Sequence, residues 1–187
     1  ALLSRIGIEG GRIDKDAYAT PGAGSKGAEL LGPQPGLMIG IAVSSANRLK
    51  ALGSEKIVAI GRLLLDSRPD LRLVLIGSND DIPQATEIAA QLPKGKVINL
   101  CGACDLVELP AVLKCFAAFL GVDSGITYMA DAVGVPLVSV AGPCNMVETR
   151  PLGPRVTILQ RADLPCAPCA HIFRAPYTCH TGTRACI

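Results

Sequence analysis

The alternation of short apolar segments with segments of helical spacing is the feature that most constrains the fold of this chain. Six segments from Leu37 onward have strand length and are apolar almost throughout. Strands that are apolar on both faces are typical of a parallel sheet that is covered by helices on each side. The predicted strands are LMIGIAV (37–43), LRLVLIG (71–77), VINL (97–100), AAFLGV (117–122), PLVSVAG (136–142) and RVTIL (155–159).

The segments between these strands have apolar residues at helical spacing. We predict helices over 54–68, with Ser54 as the N-cap and Pro69 just past the end, and over 82–92 and 126–133. A further helix is predicted over 106–116. Its start is marked by the capping-box pair Asp105 and Glu108, and Pro110 requires that helix to begin late or to bend. Strands and helices in this order predict a Rossmann-like α/β fold with right-handed crossovers.

The chain divides into three parts by composition. Residues 1–36 are rich in glycine and small residues and show no sustained period, so we interpret them as a linker or an amino-terminal arm. Whether this part is a native linker, a remnant of another domain or disordered stays open at this stage. Residues 37–160 form the predicted Rossmann-like domain, and residues 161–187 form a cysteine-rich carboxyl-terminal tail.

Composition excludes some classes of function. The net charge is +2 with the two signs interspersed, whereas binding to a nucleic-acid backbone needs a basic stripe. No apolar run approaches the roughly 20 residues that cross a bilayer, and no signal segment opens the chain. We therefore expect a cytoplasmic protein, either soluble or peripheral to the inner face of the membrane, with no nucleic-acid partner.

The loops at the carboxyl ends of the strands are where a sheet of this kind binds ligands. The loop SSANRLK (44–50) offers Ser44, Ser45 and Lys50, whose hydroxyls and ammonium group suit the oxygens of a diphosphate. An ordinary polar loop would have the same composition. The loop GSNDD (77–81) offers Asp81, which could accept hydrogen bonds from ribose hydroxyls or could instead cap the following helix.

The loop DSGIT (123–127) is the most informative of the three. Gly125 permits a tight turn, and the amides that follow it open a helix, which attracts phosphate. Asp123 would repel a phosphate placed beside it, so we expect it to cap the helix or to accept hydrogen bonds from a sugar hydroxyl. The chain contains neither G-x-G-x-x-G nor G-x-x-x-x-G-K-[ST], which counts against a dinucleotide oxidoreductase and a P-loop NTPase.

Eight cysteines are unevenly distributed. Cys101, Cys104, Cys115 and Cys144 lie in or beside apolar segments, where we expect them to pack as small core residues. The other four crowd into the tail, at spacings compatible with a four-thiolate zinc or iron site. Four reduced thiols or two disulfides would give the same pattern. These four residues are Cys166, Cys169, Cys179 and Cys186.

The ordered combination of these segments resembles glycosyltransferase family 9, the lipopolysaccharide heptosyltransferases and their relatives. The resemblance rests on NLCGACDLVELPAVLKC (99–115), GVDSGITYMADAVGVPLVSVAGP (121–143), PLG (151–153) and PCAPC (165–169), and it covers about residues 37–187. It implies one half of a two-domain GT-B architecture, namely the carboxyl-terminal domain that holds a nucleotide-sugar donor. It also implies iron at the cysteine-rich end, as some relatives are thought to bind.

The resemblance also implies roles for the loop residues. Ser44, Ser45 and Lys50 would contact the donor diphosphate, and Asp81 would face the ribose. A second group would line the sugar and the phosphates. That group consists of Asp123, Ser124, Gly125 and Tyr128, the last of which stands where the family has histidine. A phenol donates a hydrogen bond but carries no positive charge at neutral pH.

The implied reaction is inverting transfer from a donor such as ADP-heptose to a saccharide or lipopolysaccharide acceptor, with no cofactor required for transfer. In the family, an amino-terminal domain supplies the acceptor site and the catalytic base. Nothing upstream of Leu37 resembles that domain, so we expect these 187 residues to bind donor but to transfer poorly without such a domain or a partner chain. The alternatives are a non-catalytic nucleotide-binding or assembly module and another GT-B-like enzyme such as a nucleotide-sugar epimerase.

Overall fold

A computed structural model of the chain gives the arrangement of most of its length. It describes residues 3–7, 9, 16–18, 23–33, 36–161 and 163–187. Fifteen of the 36 residues of the predicted arm therefore lie outside the described residues.

Six strands in the described part of the chain form one sheet, and every neighbouring pair runs parallel. Their order across the sheet is β3-β2-β1-β4-β5-β6. Each predicted strand is present, with ends trimmed by one or two residues. The strands are β1 (Met38–Ala42), β2 (Arg72–Ile76), β3 (Val97–Asn99), β4 (Ala118–Val122), β5 (Leu137–Val140) and β6 (Val156–Leu159).

Helices cover both faces of this sheet. Those found in the described residues are α1 (Ala23–Leu31), α2 (Ser54–Ser67), α3 (Ile82–Ala90), α4 (Leu109–Leu113) and α5 (Gly125–Ala132). Alternate residues of β2 show the two faces: Leu73 and Leu75 pack under α2 and α3, while Val74 and Ile76 pack under α1, α4 and α5. The predicted Rossmann-like α/β fold with helices on both faces is confirmed.

The order of strands creates a crevice at the centre of the sheet. The chain builds outward from β1 through β2 to β3, then returns and builds outward in the other direction from β4. The loops after β1 and β4 leave the sheet side by side and diverge, because their helices cover opposite faces. Open α/β sheets bind ligands in such a crevice.

The residues that predicted the helix ends are confirmed for α4 but not for α2. Glu108 and Asp105 form the expected capping box, in which the Asp105 amide donates to Glu108 Oε2 at 3.1 Å and the Glu108 amide donates to Asp105 Oδ1 at 2.8 Å. Helix α4 begins at Leu109, late as Pro110 requires. Ser54, however, is not the N-cap of α2. That position belongs to Gly53, whose φ of 86° is a conformation that only glycine adopts without strain.

Helix α1 was not predicted from the sequence. It packs against α4 through Gly27 and Leu31, where a side chain at Gly27 would meet the backbone of Ala111 at 3.4 Å. Glycine at this position allows the two helices to approach closely, so a glycine-rich composition is compatible with an ordered element here.

The part of the chain that the structure describes contains no helix that is both long enough and apolar enough to span a bilayer.

Two leucines of equal size test the core. Leu73 is fully buried in β2, whereas Leu63 on α2 is 72% exposed. We expect Leu73→Ala to lower the free energy of unfolding by about 2–5 kcal/mol, through lost burial and the cavity that remains. Leu63→Ala should change it little. Urea unfolding followed by circular dichroism measures both, and equal effects of the two substitutions would contradict the assigned sheet faces.

Candidate functional site

The loops that follow β1, β2 and β4 come together at the carboxyl edge of the sheet, where two open cavities adjoin. The first has a volume of about 710 Å³ and the second of about 720 Å³. Ser124, at the start of α5, lines both of them. An elongated ligand with a charged centre could therefore occupy both cavities and cross between them at Ser124.

The first cavity lies over β1, β2 and β3. It brings together three of the predicted site residues, Ser44, Ser45 and Asp81. Its apolar wall includes Ile76, Leu109 and Ile126. A cavity with one apolar wall and a polar rim suits a flat, partly polar group such as a nucleobase with its ribose.

Asp81 has a structural task at the edge of this cavity. Its Oδ2 accepts hydrogen bonds from the Ser78 amide at 2.7 Å and from Ser78 Oγ at 2.8 Å, so it forms a capping box for the 3₁₀ turn Asn79–Asp81. Burial raises the pKa of the Asp81 carboxyl, but hydrogen bonds from Ser44 and Ser78 outweigh it and hold that pKa below its ordinary value. Asp81 is therefore ionised at neutral pH. It occupies the N-cap position of α3, as the alternative from the sequence stated, but its side chain bonds to the 3₁₀ turn and not to that helix.

The second cavity lies beside α5. It brings together the other predicted residues, Lys50, Asp123, Gly125 and Tyr128, and faces the loop of residues 147–152. A side chain at Gly125 would meet no atom within 4 Å, so the backbone there opens directly toward the cavity. The amino end of α5 is thus accessible to an anion.

Asp123 is the centre of the hydrogen bonds in this cavity. Its Oδ2 accepts from Lys50 Nζ at 2.6 Å and from Cys144 Sγ at 3.2 Å, and its Oδ1 accepts from the Tyr128 hydroxyl at 2.6 Å. The Ser45 hydroxyl donates to the Asp123 backbone carbonyl at 3.3 Å. The side chain of Asp123 is only 8% exposed, so these donors replace the water that it loses.

The electrostatics of this group favour its charged state. Burial raises the pKa of Asp123, but the hydrogen bonds from Lys50, Tyr128 and Cys144 lower it further than burial raises it. Burial likewise lowers the pKa of Lys50, but its interactions with Asp123 and Cys144 together outweigh burial, so that pKa is raised. Burial and the adjacent carboxylate also raise the pKa of Tyr128, which keeps the phenol neutral and able to donate.

Ser124 and Gly125 open α5 without a side-chain cap. Ser124 occupies the N-cap, yet its hydroxyl pairs with Thr127 Oγ1 at 3.1 Å rather than with a helix amide. Thr127 is fully buried, and it fits because Gly121 below it has no side chain; a Cβ there would lie 2.1 Å from the threonine oxygen. This contact fixes the first turn of α5 against β4.

Two loops of the site were missed in the sequence. Residues 102–106 line the first cavity, and residues 147–150 line the second. Gly102, at φ +70°, was a usable signal, since its missing side chain admits the Asn79 carboxamide. The other loop has no local signal, because it is held by a distant residue.

That residue is Asp131, a buried carboxylate on α5. Its Oδ2 accepts from the Leu152 amide at 2.9 Å, and its Oδ1 accepts from the Gly153 amide at 2.9 Å. A Cβ at Gly153 would lie 2.2 Å from Oδ1, so glycine is required at this point of the loop. Helix α5 thus carries one wall of the second cavity and holds the other.

Outside the tail, the cysteines agree only in part with their predicted core positions. Cys101 and Cys144 are buried, and burial raises the pKa of each thiol to about 12. Cys104 is half-buried in the wall of the first cavity. Cys115 is exposed, which makes the prediction wrong there: it follows the end of the short helix α4 on its solvent side, and its thiol donates to the Ala111 carbonyl.

The four tail cysteines are free thiols, each partly buried, and no disulfide joins them. Burial and the neighbouring thiols of Cys186, Cys166 and Cys179 raise the pKa of Cys169. A hydrogen bond with Thr181 lowers the pKa of Cys179 to about 7. Among the described residues, no three cysteine, histidine or carboxylate side chains are arranged as ligands of one ion.

A family model and a curated protein that resemble this chain indicate the same family. The family model "Glycosyltransferase family 9 (heptosyltransferase)" matches residues 39–176. Lipooligosaccharide heptosyltransferase 2 of Haemophilus influenzae is 33% identical over 91 residues, which are 47% of this chain and 26% of that protein.

Solved structures share the fold. The chain superposes on an ADP-heptose lipopolysaccharide heptosyltransferase II from E. coli with a TM-score of 0.70, at 23% identity, over 79% of this chain and 46% of that one. A family 9 glycosyltransferase from Veillonella parvula gives a TM-score of 0.76 at 20% identity, over 84% and 46%. The chain thus spans about half the length of these solved relatives.

A further solved structure shares the fold at a lower TM-score. The dodecameric iron-containing heptosyltransferase TibC, solved with ADP-D-β-D-heptose, gives a TM-score of 0.50 at 19% identity, over 73% of this chain and 34% of that one.

The ion pair of Lys50 and Asp123 makes stability depend on pH. Because the folded pKa of Asp123 is lowered, its contribution is present above the ordinary carboxyl pKa of about 3.9 and is lost as the pH falls through the folded value. We expect Asp123→Asn to cost about 2 kcal/mol at pH 7. The difference from the unmodified chain should shrink below about pH 4.

The exposed pair of Arg161 and Asp163 provides the control. Asp163→Asn should leave the urea midpoint unchanged at every pH, because exposed ion pairs contribute little. A cost for Asp123→Asn that stays constant from pH 7 to pH 3 would rule out the charged state of Asp123 as its cause.

Proposed function

This chain belongs to glycosyltransferase family 9, and we propose that it binds the nucleotide-sugar donor of a heptosyltransferase-like enzyme. The observation that carries the proposal is the hydrogen-bonded group centred on Asp123, placed where two cavities adjoin at the switch point of the sheet. One cavity suits a nucleoside and the other a sugar. ADP-heptose is the favoured donor, since the E. coli relative is described as an ADP-heptose enzyme.

The diphosphate of the donor would lie at Ser124, between the two cavities. The amino end of α5 supplies amides and a positive dipole end there, and Gly125 leaves the approach open. Lys50 would supply the compensating charge, and Ser44 and Ser45 would supply hydroxyl donors. Lys50 is charged at neutral pH, since its contacts with Asp123 and Cys144 prevent burial from lowering its pKa.

The nucleoside would occupy the first cavity. The base would pack on the apolar wall that includes Leu109 and Ile126, with the ribose at Asp81. The hydrogen bonds that Asp81 accepts from Ser78 do not prevent this role, because an ionised carboxylate offers about four acceptor positions.

The sugar would occupy the second cavity beside Asp123 and Tyr128. Tyr128 stands where the family has histidine, and its phenol donates to Asp123 while remaining neutral. Asp123 would then accept a hydrogen bond from a sugar hydroxyl at the one acceptor position, on Oδ1, that its three donors leave. A neutral donor at position 128 places less positive charge beside the sugar than a protonated histidine would.

The proposed reaction is inverting transfer to a saccharide acceptor such as lipopolysaccharide. A base takes the proton of an acceptor hydroxyl, the oxygen attacks the anomeric carbon, and the bond from that carbon to the diphosphate oxygen breaks with its electron pair on the departing nucleoside diphosphate. Lys50 and the end of α5 would stabilise the charge that develops on this leaving group. In this scheme the base comes from the amino-terminal half of the family architecture, not from the loops described above.

The cysteine tail would hold one structural zinc or iron ion through Cys166, Cys169, Cys179 and Cys186. Support comes from the number and spacing of the thiols and from the iron in TibC. Binding would require the tail to rearrange, because no three of the described side chains are arranged as ligands of one ion. Cys179 has the lowest pKa of the group whose shift is resolved, about 7, so it would provide a thiolate most readily. We place the protein in the cytoplasm in this proposal, because thiols stay reduced there.

Calorimetric titration of the chain with ADP-, UDP- and GDP-sugars tests donor binding. We expect binding of ADP-sugars alone, and Lys50→Ala should weaken it by about tenfold or more, as the loss of a charge-assisted hydrogen bond implies. Lys56→Ala, which removes an exposed lysine of α2, is the matched control and should bind like the unmodified chain.

Two results would contradict this proposal. Binding of no nucleotide sugar would favour an assembly module, and equal binding of all three would remove the preference for adenine. Robust transfer by the 187 residues alone would contradict only the assignment of the base to another domain.

Elemental analysis of the purified chain tests the metal. We expect close to one zinc or iron per chain, with the content lowered in Cys166→Ser and in Cys179→Ser. Cys115→Ser, which changes an exposed thiol outside the tail, should keep the full content. Less than about 0.2 metal per unmodified chain would remove the metal from the proposal.

A further inference from the structure

We infer that the last residues of the tail form a clamp that positions Lys50, and that Arg184 is the positioning residue within it. The clamp is defined as residues 176–187. This inference rests on the proposed function of Lys50 as a donor ligand and adds how that side chain is held in place.

The turn that carries Lys50 has little stability of its own. It is a single 3₁₀ turn, Arg48–Lys50, between β1 and α2. Within it, the Lys50 amide donates to the Asn47 carbonyl at 2.9 Å and the Ala51 amide donates to the Arg48 carbonyl at 3.2 Å. Isolated turns of this kind form few bonds for the residues they order, so contacts from elsewhere must fix them.

Asn47 joins the start of this turn to the clamp. Its Oδ1 accepts from the Leu49 amide at 3.0 Å and so caps the turn, while its Nδ2 donates to the Pro176 carbonyl at 2.9 Å. The Asn47 side chain therefore hydrogen-bonds to the turn and to the tail at once, and its orientation depends on both contacts.

Arg184 joins the end of the same turn to the clamp. Its guanidinium donates to the carbonyls of Arg48 and Ala51. One of these carbonyls precedes Lys50 in the chain and the other follows it, so the guanidinium fixes the backbone that carries the lysine side chain. Arg184 itself has φ 48°, in the left-handed region that is unusual for arginine.

The chain end keeps Arg184 in place. The Ile187 side chain packs against Gly142, where a Cβ would lie 2.8 Å from Ile187 Cδ1, and it joins the core on the face of α2 and α3. The clamp is thus anchored in the core on one side and bonded to the Lys50 turn on the other.

Arg184 lies outside the site that it supports. It lines neither of the two cavities that adjoin at Ser124. Its effect on a donor must therefore pass through the residues that it holds, of which Lys50 is the one that reaches Asp123 at 2.6 Å. A role as direct ligand would require a different position of the guanidinium.

A double-mutant cycle on the full chain tests this path. We expect Arg184→Ala to weaken ADP binding by about five- to tenfold in the unmodified chain and not at all in Lys50→Ala, because the effect passes through Lys50. Arg184→Lys should recover part of the loss, since an ammonium can reach one of the two carbonyls. Arg174→Ala, an exposed arginine of the same tail, should have no effect.

Equal losses in both backgrounds, or no loss from Arg184→Ala, would overturn the inference. Amide hydrogen exchange provides a readout that does not need a donor. Arg184→Ala should accelerate exchange at Lys50 and Ala51 by about tenfold while leaving the β1 amides unchanged. If the unmodified chain binds no nucleotide, the proposed function fails, and unaccelerated exchange would then overturn the clamp separately.

Discussion

The parallel pairing of β1 with β4 is the constraint on which the site depends. This pairing puts Ile39 beside Ala118 and Ile41 beside Leu120, so the two strands end at the same level. The loop that carries Lys50 and the loop that carries Asp123 then leave the sheet together, although 73 residues separate them in sequence. Right-handed crossovers send the following helices to opposite faces, and the space between the loops becomes the crevice.

Within that crevice, Asp123 carries a negative charge and also holds the donor groups around it in position. Three donors bind its carboxylate, which lets a group that is 8% exposed stay ionised. The same carboxylate offsets the effect of burial on the pKa of Lys50 and holds its ammonium group at the second cavity. An incoming diphosphate would share Lys50 with Asp123 instead of recruiting a free lysine from solvent, so less side-chain entropy is lost on binding. In the proposed function, the α5 amides and Lys50 together would provide the specificity for an anion.

The sequence predicts the sheet well, because strands apolar on both faces leave one common arrangement. Every strand and the late start of α4 at Pro110 were found this way. Prediction of helix ends from residue preferences was less reliable where the backbone conformation determines the cap. Ser54 is a favourable N-cap residue, but the N-cap of α2 has φ 86° and is Gly53. Helix α1 was missed because its glycine serves close packing against α4, which composition alone does not reveal. The placement of the candidate residues on the β1, β2 and β4 loops at the cavities could be predicted because they follow strands, whereas the placement of the loop 147–152 could not.

The loop 147–152 shows why part of the candidate site cannot be predicted from local sequence patterns. Its position depends on Asp131, which binds two amides, Leu152 and Gly153, more than twenty residues further along the chain. Asp131 and Tyr128 stand three positions apart on α5, so a rotation of this helix would move the phenol and the opposite cavity wall together. Thr127 prevents such a rotation by packing fully buried over Gly121. The geometry of the second cavity is therefore set by the packing of one eight-residue helix on β4, and a substitution at Gly121 would disturb both walls of the cavity without touching either.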